Sequence, residues 1–204
     1  MICAVLRPPW MRAAGLLGIA LAVGTASRGG RGRALDERAF RAVNDGWGGA
    51  ADRTFRALTE LGSIWASVGA AAVLAGAGRR SAAARAFRAA AVAWVAGQGL
   101  KRLFARDRPY RADPEGVRLL IGRPAASSWP SSHPAVLGAF VWVAARDLAL
   151  PPAARAALTG LVGAVALSRV YLGVHYPADA VGGILLGRAV SLLAPGPGLP
   201  PARG

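Results

Sequence analysis

The chain has 204 residues, 54% of them hydrophobic, and a mean hydropathy of +0.37. That is too apolar for an ordinary soluble domain and predicts a membrane protein, of a length that allows one domain. The formal net charge of +15 excludes no partner by itself, but the arginines lie between apolar runs and not on a basic helix interleaved with aromatics, so no nucleic acid is expected.

Arginine at membrane edges, facing anionic lipid headgroups, explains the charge more simply. Cys3 stands alone, so no internal disulfide is expected and the redox compartment cannot be read from it.

Apolar runs lie near residues 13–27, 61–78, 86–104, 134–150, 156–174 and 178–194. Several are shorter than the ~20 residues a spanning helix prefers, but they are rich in Ala and Gly, as close-packed membrane helices often are. The first run follows Arg7 and Arg12 and ends in the small residues VGTAS. A signal peptide is one reading of it; an uncleaved first helix is the preferred one, because no soluble domain follows. Between the first two runs, Leu35, Ala39, Phe40 and Val43 recur at helical spacing with charges between them, which predicts an amphipathic helix lying in the interface. A solvated loop is the alternative around Gly46 to Gly49. Residues 78–88 read as a short basic connector. Residues 106–134 read as a long loop rich in Pro, Gly and Arg, of the kind that often carries function. Residues 1–195 are taken as one domain and residues 196–204 as a disordered tail. The expected fold is all-α: a polytopic membrane helical bundle of about six transmembrane helices.

The rarest polar residues locate the chemistry. Of 25 cationic side chains, 24 are arginine and one is lysine, Lys101; the only histidines are His133 and His175. Lys101 closes the third run, His133 opens the fourth, Ser168 to His175 close the fifth and Asp179 opens the sixth. If every run spans, these four ends share one membrane face and meet in one pocket. Pro134 fits a first helical position, which would place Ser131, Ser132 and His133 at a helix N-terminus, where free N–H groups and the dipole attract anions. Pro177 plays the same part between His175 and Asp179, and Pro109 biases Arg108 away from helix and ends the third run. Lys101, Arg108 and Arg169 match in number the three non-bridging oxygens of a phosphoryl group. Two histidines supply a nucleophile and an acid, with Asp179 to orient one of them. Tyr171 and Trp129 are expected to pack. Ser168 is read either as a site residue or as a cap.

Three segments carry a resemblance. Lys101 through Arg108-Pro109, Pro130-Ser131-Ser132-His133, and Ser168-Arg169 through His175 to Asp179 resemble the signature of the type 2 phosphatidic acid phosphatase (PAP2) superfamily, which also contains the vanadium haloperoxidases and glucose-6-phosphatase. That signature is Lys, six residues, Arg-Pro; then Pro-Ser-Gly-His; then Ser-Arg, five residues, His, three residues, Asp. The first and third match in spacing, and the second departs by Ser132 in place of glycine. The resemblance implies that His175 attacks phosphorus and becomes a phosphohistidine, that Asp179 holds its ring, and that His133 protonates the leaving oxygen. It implies that Lys101, Arg108, Ser131, the amide of Ser132, and Arg169 bind the phosphoryl oxygens. No metal and no cofactor are expected. The implied function is an integral membrane phosphatase acting on a lipid phosphate or diphosphate, such as undecaprenyl diphosphate, phosphatidic acid or phosphatidylglycerol phosphate, with membrane lipids as its other partners and no obligate protein partner inferable. A lipid phosphotransferase using the same site, a soluble-type haloperoxidase holding vanadate, and a non-catalytic membrane scaffold are the alternatives. The family analogy implies a bacterial cell membrane and a site on its outer face.

Overall fold

The computed structural model describes residues 8–196. The tail at 196–204 therefore lies, but for Gly196, outside the described residues, as do Arg7 and Cys3. The described part is all-α: α1 (Pro9–Ala26), α2 (Gly30–Asn44), α3 (Gly49–Glu60), α4 (Ile64–Gly76), α5 (Arg80–Phe104), the one-turn α6 (Pro109–Ala112), α7 (Ser132–Asp147), α8 (Pro152–Tyr171) and α9 (Pro177–Leu193).

The six apolar runs become α1, α4, α5, α7, α8 and α9. By length and hydropathy alone, among the described residues only α1 and α8 qualify as membrane spans, with the bent α3–α4 pair as a third. The others fall short for visible reasons. α7 and α9 have 16 and 17 residues, and α5 carries Arg80, Arg85, Arg88, Lys101 and Arg102 near its ends.

α7 is the centre of the bundle, buried from Pro134 to Val141 and from Val143 to Ala145, and α5, α8 and α9 pack around it. Small residues set the spacing. A Cβ on Gly183 of α9 would stand 2.2 Å from the carbonyl oxygen of Ser131, and one on Gly187 would stand 2.5 Å from that of Ala135. These glycines are needed for close approach, not for unusual dihedrals. On α5 the buried face runs Ala86, Ala90, Ala93, Gly97, Lys101, a stripe at helical spacing. The same stripe that seats α5 against α7 thus delivers the lysine inward.

Four expectations need correction. The interfacial segment is two helices, α2 and α3, joined through Gly46 and Gly48, both at positive φ. On α2 the inward face is Asp36, Phe40 and Asn44, while Leu35 and Ala39 point outward. The stretch 78–88 is mostly not a connector, because α5 begins at Arg80. Finally, α5 ends at Phe104 through Ala105 in the left-handed conformation (φ 45°), and Pro109 instead opens α6. Arg108 is extended (φ −79°, ψ 155°), as a residue before proline should be.

Candidate active site

The four helix ends expected on one face do meet. The Ser131 N–H donates to the Asp179 carbonyl at 2.9 Å, which ties the start of α7 to the start of α9. Lys101 reaches from the end of α5 into the loop before α7. Its Nζ donates to the carbonyls of Pro130 (2.7 Å), Ser127 (3.0 Å) and Ser128 (3.2 Å). An ammonium has three donors, and here all three serve loop carbonyls. Arg108 grips the same loop, with Nε on Ala126 O at 2.7 Å and Nη2 on Ser127 O at 3.3 Å. The two cations therefore shape the 126–130 loop as well as charging the pocket.

His175 lies in the turn between α8 and α9 and is 2% exposed. Arg108 Nη1 lies 3.2 Å from its Nε2 and donates to Val174 O at 2.8 Å. A guanidinium N–H can only donate, so Nε2 is an acceptor and the ring proton sits on Nδ1. Nδ1 faces Asp179 Oδ2 at 3.5 Å, longer than a hydrogen bond. Burial, followed by the positive charges of Arg108, Lys101 and Arg169, holds the His175 pKa well below its ordinary value of 6.5. The ring is thus neutral near pH 7, with its Nε2 lone pair turned toward the cations.

Asp179 is fully buried and held from several sides. Oδ1 accepts from Arg106 Nη1 at 2.7 Å, and Oδ2 accepts from the Tyr176 N–H at 2.8 Å and from the Ser128 hydroxyl. Arg169 is 4% exposed and donates to Thr59 Oγ1 at 2.7 Å. This contact fixes α8 to α3, which folds over the site because the chain bends by 64° between α3 and α4. The bend passes Gly62, where a Cβ would stand 2.7 Å from that of His133.

Ser131 holds the N-cap position of α7 without a side-chain cap bond, and α7 begins at Ser132, two residues before Pro134. The proline therefore takes the third helical position, whose N–H is also free of helix bonds. Ser132 has no positive φ, so serine in place of the family's glycine carries no backbone strain. Its hydroxyl accepts from Gln98 Nε2 at 3.3 Å. Lys101, Arg108, Ser131, Arg169, His175 and Asp179 are all buried, whereas Ser132 and His133 are half-buried. Ser168 bonds back to Val165 O at 2.7 Å within its own helix, so it packs and does not face the site. Trp129 stacks on Phe104 (4.0 Å between centroids), and Tyr171 packs with Trp47 and Phe55, so both aromatics pack.

Three buried polar atoms here lack a hydrogen-bond partner among the described residues: Ser131 Oγ, Arg169 Nε and His175 Nδ1. All three can donate: His175 Nδ1–H faces Asp179, and Ser131 Oγ and Arg169 Nε, beside further cations, suit an anion with several oxygens. Sequence reasoning missed Arg106, Ser128, Asp36, Thr59 and Gln98. Arg106 was hidden among its arginine neighbours, and Asp36 among the charges of an amphipathic helix.

The family model for the PAP2 superfamily matches residues 82–195. Decaprenylphosphoryl-5-phosphoribose phosphatase of Mycolicibacterium smegmatis is 34% identical over 131 residues, 63% of this chain and 68% of that one. Undecaprenyl-diphosphatase of Sulfolobus acidocaldarius is 34% identical over 106 residues, 50% of this chain and 48% of that one. The chain thus spans about two thirds of the first relative's length and about half of the second's. Among solved structures, the transmembrane PAP2 type phosphatidylglycerolphosphate phosphatase from Bacillus subtilis superposes with a TM-score of 0.74, at 20% identity, covering 89% of this chain and 93% of that one. Its likeness supports the helical membrane fold, and the family match contains every motif residue from Lys101 to Asp179: the chain belongs to the PAP2 superfamily.

Proposed function

We propose that the protein is an integral membrane phosphatase that hydrolyses a lipid phosphate or diphosphate through a phosphohistidine on His175. One observation carries the reading. Arg108 donates to His175 Nε2 while Asp179 faces Nδ1, so the nucleophilic lone pair and a phosphate-binding cation share one point. A phosphoryl group entering there displaces the Arg108 contact and takes the guanidinium as a ligand. Ser131 Oγ, Arg169 and the free N–H groups at the start of α7 complete the cradle. His175 Nε2 then attacks phosphorus, and the bond from phosphorus to the lipid oxygen breaks. His133 gives that oxygen its proton. Water next attacks the phosphohistidine, His133 takes the water's proton, and the P–N bond breaks to release phosphate. Lys101, Arg108 and Arg169 offset the charge that spreads over the phosphoryl oxygens, so positioning and neutralisation supply the rate.

The relatives' names favour a polyprenyl-linked or phospholipid phosphate as substrate. By the same analogy the site faces the outside of a bacterial cell membrane. Reporter insertions at Gly78 and Glu115, which lie on opposite sides of α5, should then report opposite faces, with Glu115 outside.

The mechanism is tested by leaving group. His175→Ala should yield no phosphoenzyme with any substrate. His133→Ala should lose lipid phosphate turnover by about 10²–10⁴-fold, the usual worth of a general acid, yet form phosphoenzyme from p-nitrophenyl phosphate, whose leaving group needs no proton. A label on His133, or trapping by His175→Ala, would overturn the roles.

A further inference from the structure

Arg106 stands at one of the six unspecified positions of the first motif, to which the signature gives no role, yet its side chain is held from several sides. It lies in the loop after α5, with its side chain 8% exposed. Nη1 donates to Asp179 Oδ1 and Nη2 to Asp36 Oδ2, each at 2.7 Å, and Nη2 also donates to Ser27 O at 3.2 Å. The guanidinium lies 4.3 Å from the ring centre of Tyr176, a cation–π contact that fixes its plane. Asp36 comes from α2, far away in sequence, and is 8% exposed. Its other oxygen accepts from the Ala178 N–H at 2.8 Å, at the start of α9 and one residue before Asp179. A chain of charges therefore runs Asp36, Arg106, Asp179, His175. A desolvated carboxylate of this kind survives only when paired, and a forked guanidinium pairs two at once.

We propose that Arg106 and Asp36 are positioning residues for the nucleophile: Arg106 fixes the Asp179 carboxylate and tempers its charge on His175, and Asp36 sets how much of Arg106's charge Asp179 receives. The inference rests on the phosphohistidine reading above.

The electrostatics give opposite signs for the two partners. His175 is faced by Arg108 from the loop before α6, Lys101 from α5, His133 from α7, Arg169 from α8 and Asp179 from α9. Against that fixed surround, removing Arg106's charge leaves the Asp179 carboxylate uncompensated, and with the Ser128 hydroxyl and the Tyr176 N–H still holding it ionised this favours the protonated ring. Removing Asp36's charge leaves Arg106 uncompensated and disfavours it. The acid limb of kcat/KM, which reports the free enzyme, should therefore move up in pH for Arg106→Gln and down for Asp36→Asn. A merely structural loss would lower rates in both variants without separating the limbs.

The experiment uses the full chain in detergent micelles with phosphatidic acid as probe. It compares pH profiles, the split between kcat and KM, and phosphohistidine trapped by rapid quench. Because misplacing a reacting group by about 1 Å can cost on the order of 10²-fold, kcat should fall about ten- to a hundredfold in Arg106→Gln, with KM little changed. Asn at 36 still offers an oxygen to the Ala178 N–H, so Asp36→Asn removes the charge pair alone and serves if Arg106→Gln does not fold. Arg106→Lys should recover part of the rate and the wild-type limb. If the wild type traps phosphohistidine and the limbs stay together or move the same way, the inference falls and the reading beneath it stands. If the wild type traps none, both fall.

Discussion

At the scale of single residues, the lone lysine has a stereochemical reason. Its ammonium meets three carbonyls, those of Ser127, Ser128 and Pro130, from one stem. A planar guanidinium is too broad to point donors at all three. Lys101→Arg should therefore keep the charge and still lose turnover by on the order of 10²-fold, as measured by phosphate release, because the displaced 126–130 loop shifts Ser131 and a reacting or binding group moved by about 1 Å can cost that much. Unchanged activity would mean that charge alone matters there. His175 supplies a second expectation. Its pKa lies below 6.5 because burial and neighbouring cations disfavour the charged ring, so the neutral nucleophile persists as pH falls and is lost only once that lower value is passed. Once the substrate's own ionisation is divided out, the acid limb of kcat/KM should lie below 6.5; a limb at or above it would mean that His175 is not shifted as its surroundings require.

Among helices, the decisive contacts are those that small residues permit. Gly183 lets α9 lie against the carbonyl that starts α7, beside Ser131 and Asp179. Gly183→Ala pushes a methyl into backbone that cannot rotate away. Such overpacking costs about 1–3 kcal/mol, so Tm should fall, and activity should fall further because Ser131 moves; wild-type values for both would show that the helices part freely. Much of this was legible in advance. Apolar runs and the positions of rare residues were enough to bring four helix ends together, because a bundle whose segments alternate direction leaves few other choices. What stayed hidden depended on rotation about a helix axis. On α2 the sequence favours an apolar face through Leu35 and Ala39, but those residues turn outward and Asp36 and Asn44 turn in. A polar residue is buried only where a partner waits, and Arg106, Ala178 and Tyr171 lie far from α2 in sequence. Arg106 was invisible for the same reason: one arginine among 24 has no signal until its two carboxylates are placed.

For the whole molecule, the candidate pocket's positive charge comes from Lys101 of α5, Arg108 of the loop before α6 and Arg169 of α8, and the proposed mechanism asks for no divalent ion beside them. Turnover should accordingly survive EDTA; loss on chelation with recovery on added Mg²⁺ would overturn the metal-free mechanism. One further consequence follows from the contrast between Ser132 and His133, which are half-buried, and the other candidate site residues, which are buried. Under the proposed mechanism, whatever resolves the phosphohistidine has to reach a group from which most solvent is already excluded. The bulk of the acceptor, as well as its reactivity, should then divide hydrolysis from phosphoryl transfer to a second alcohol.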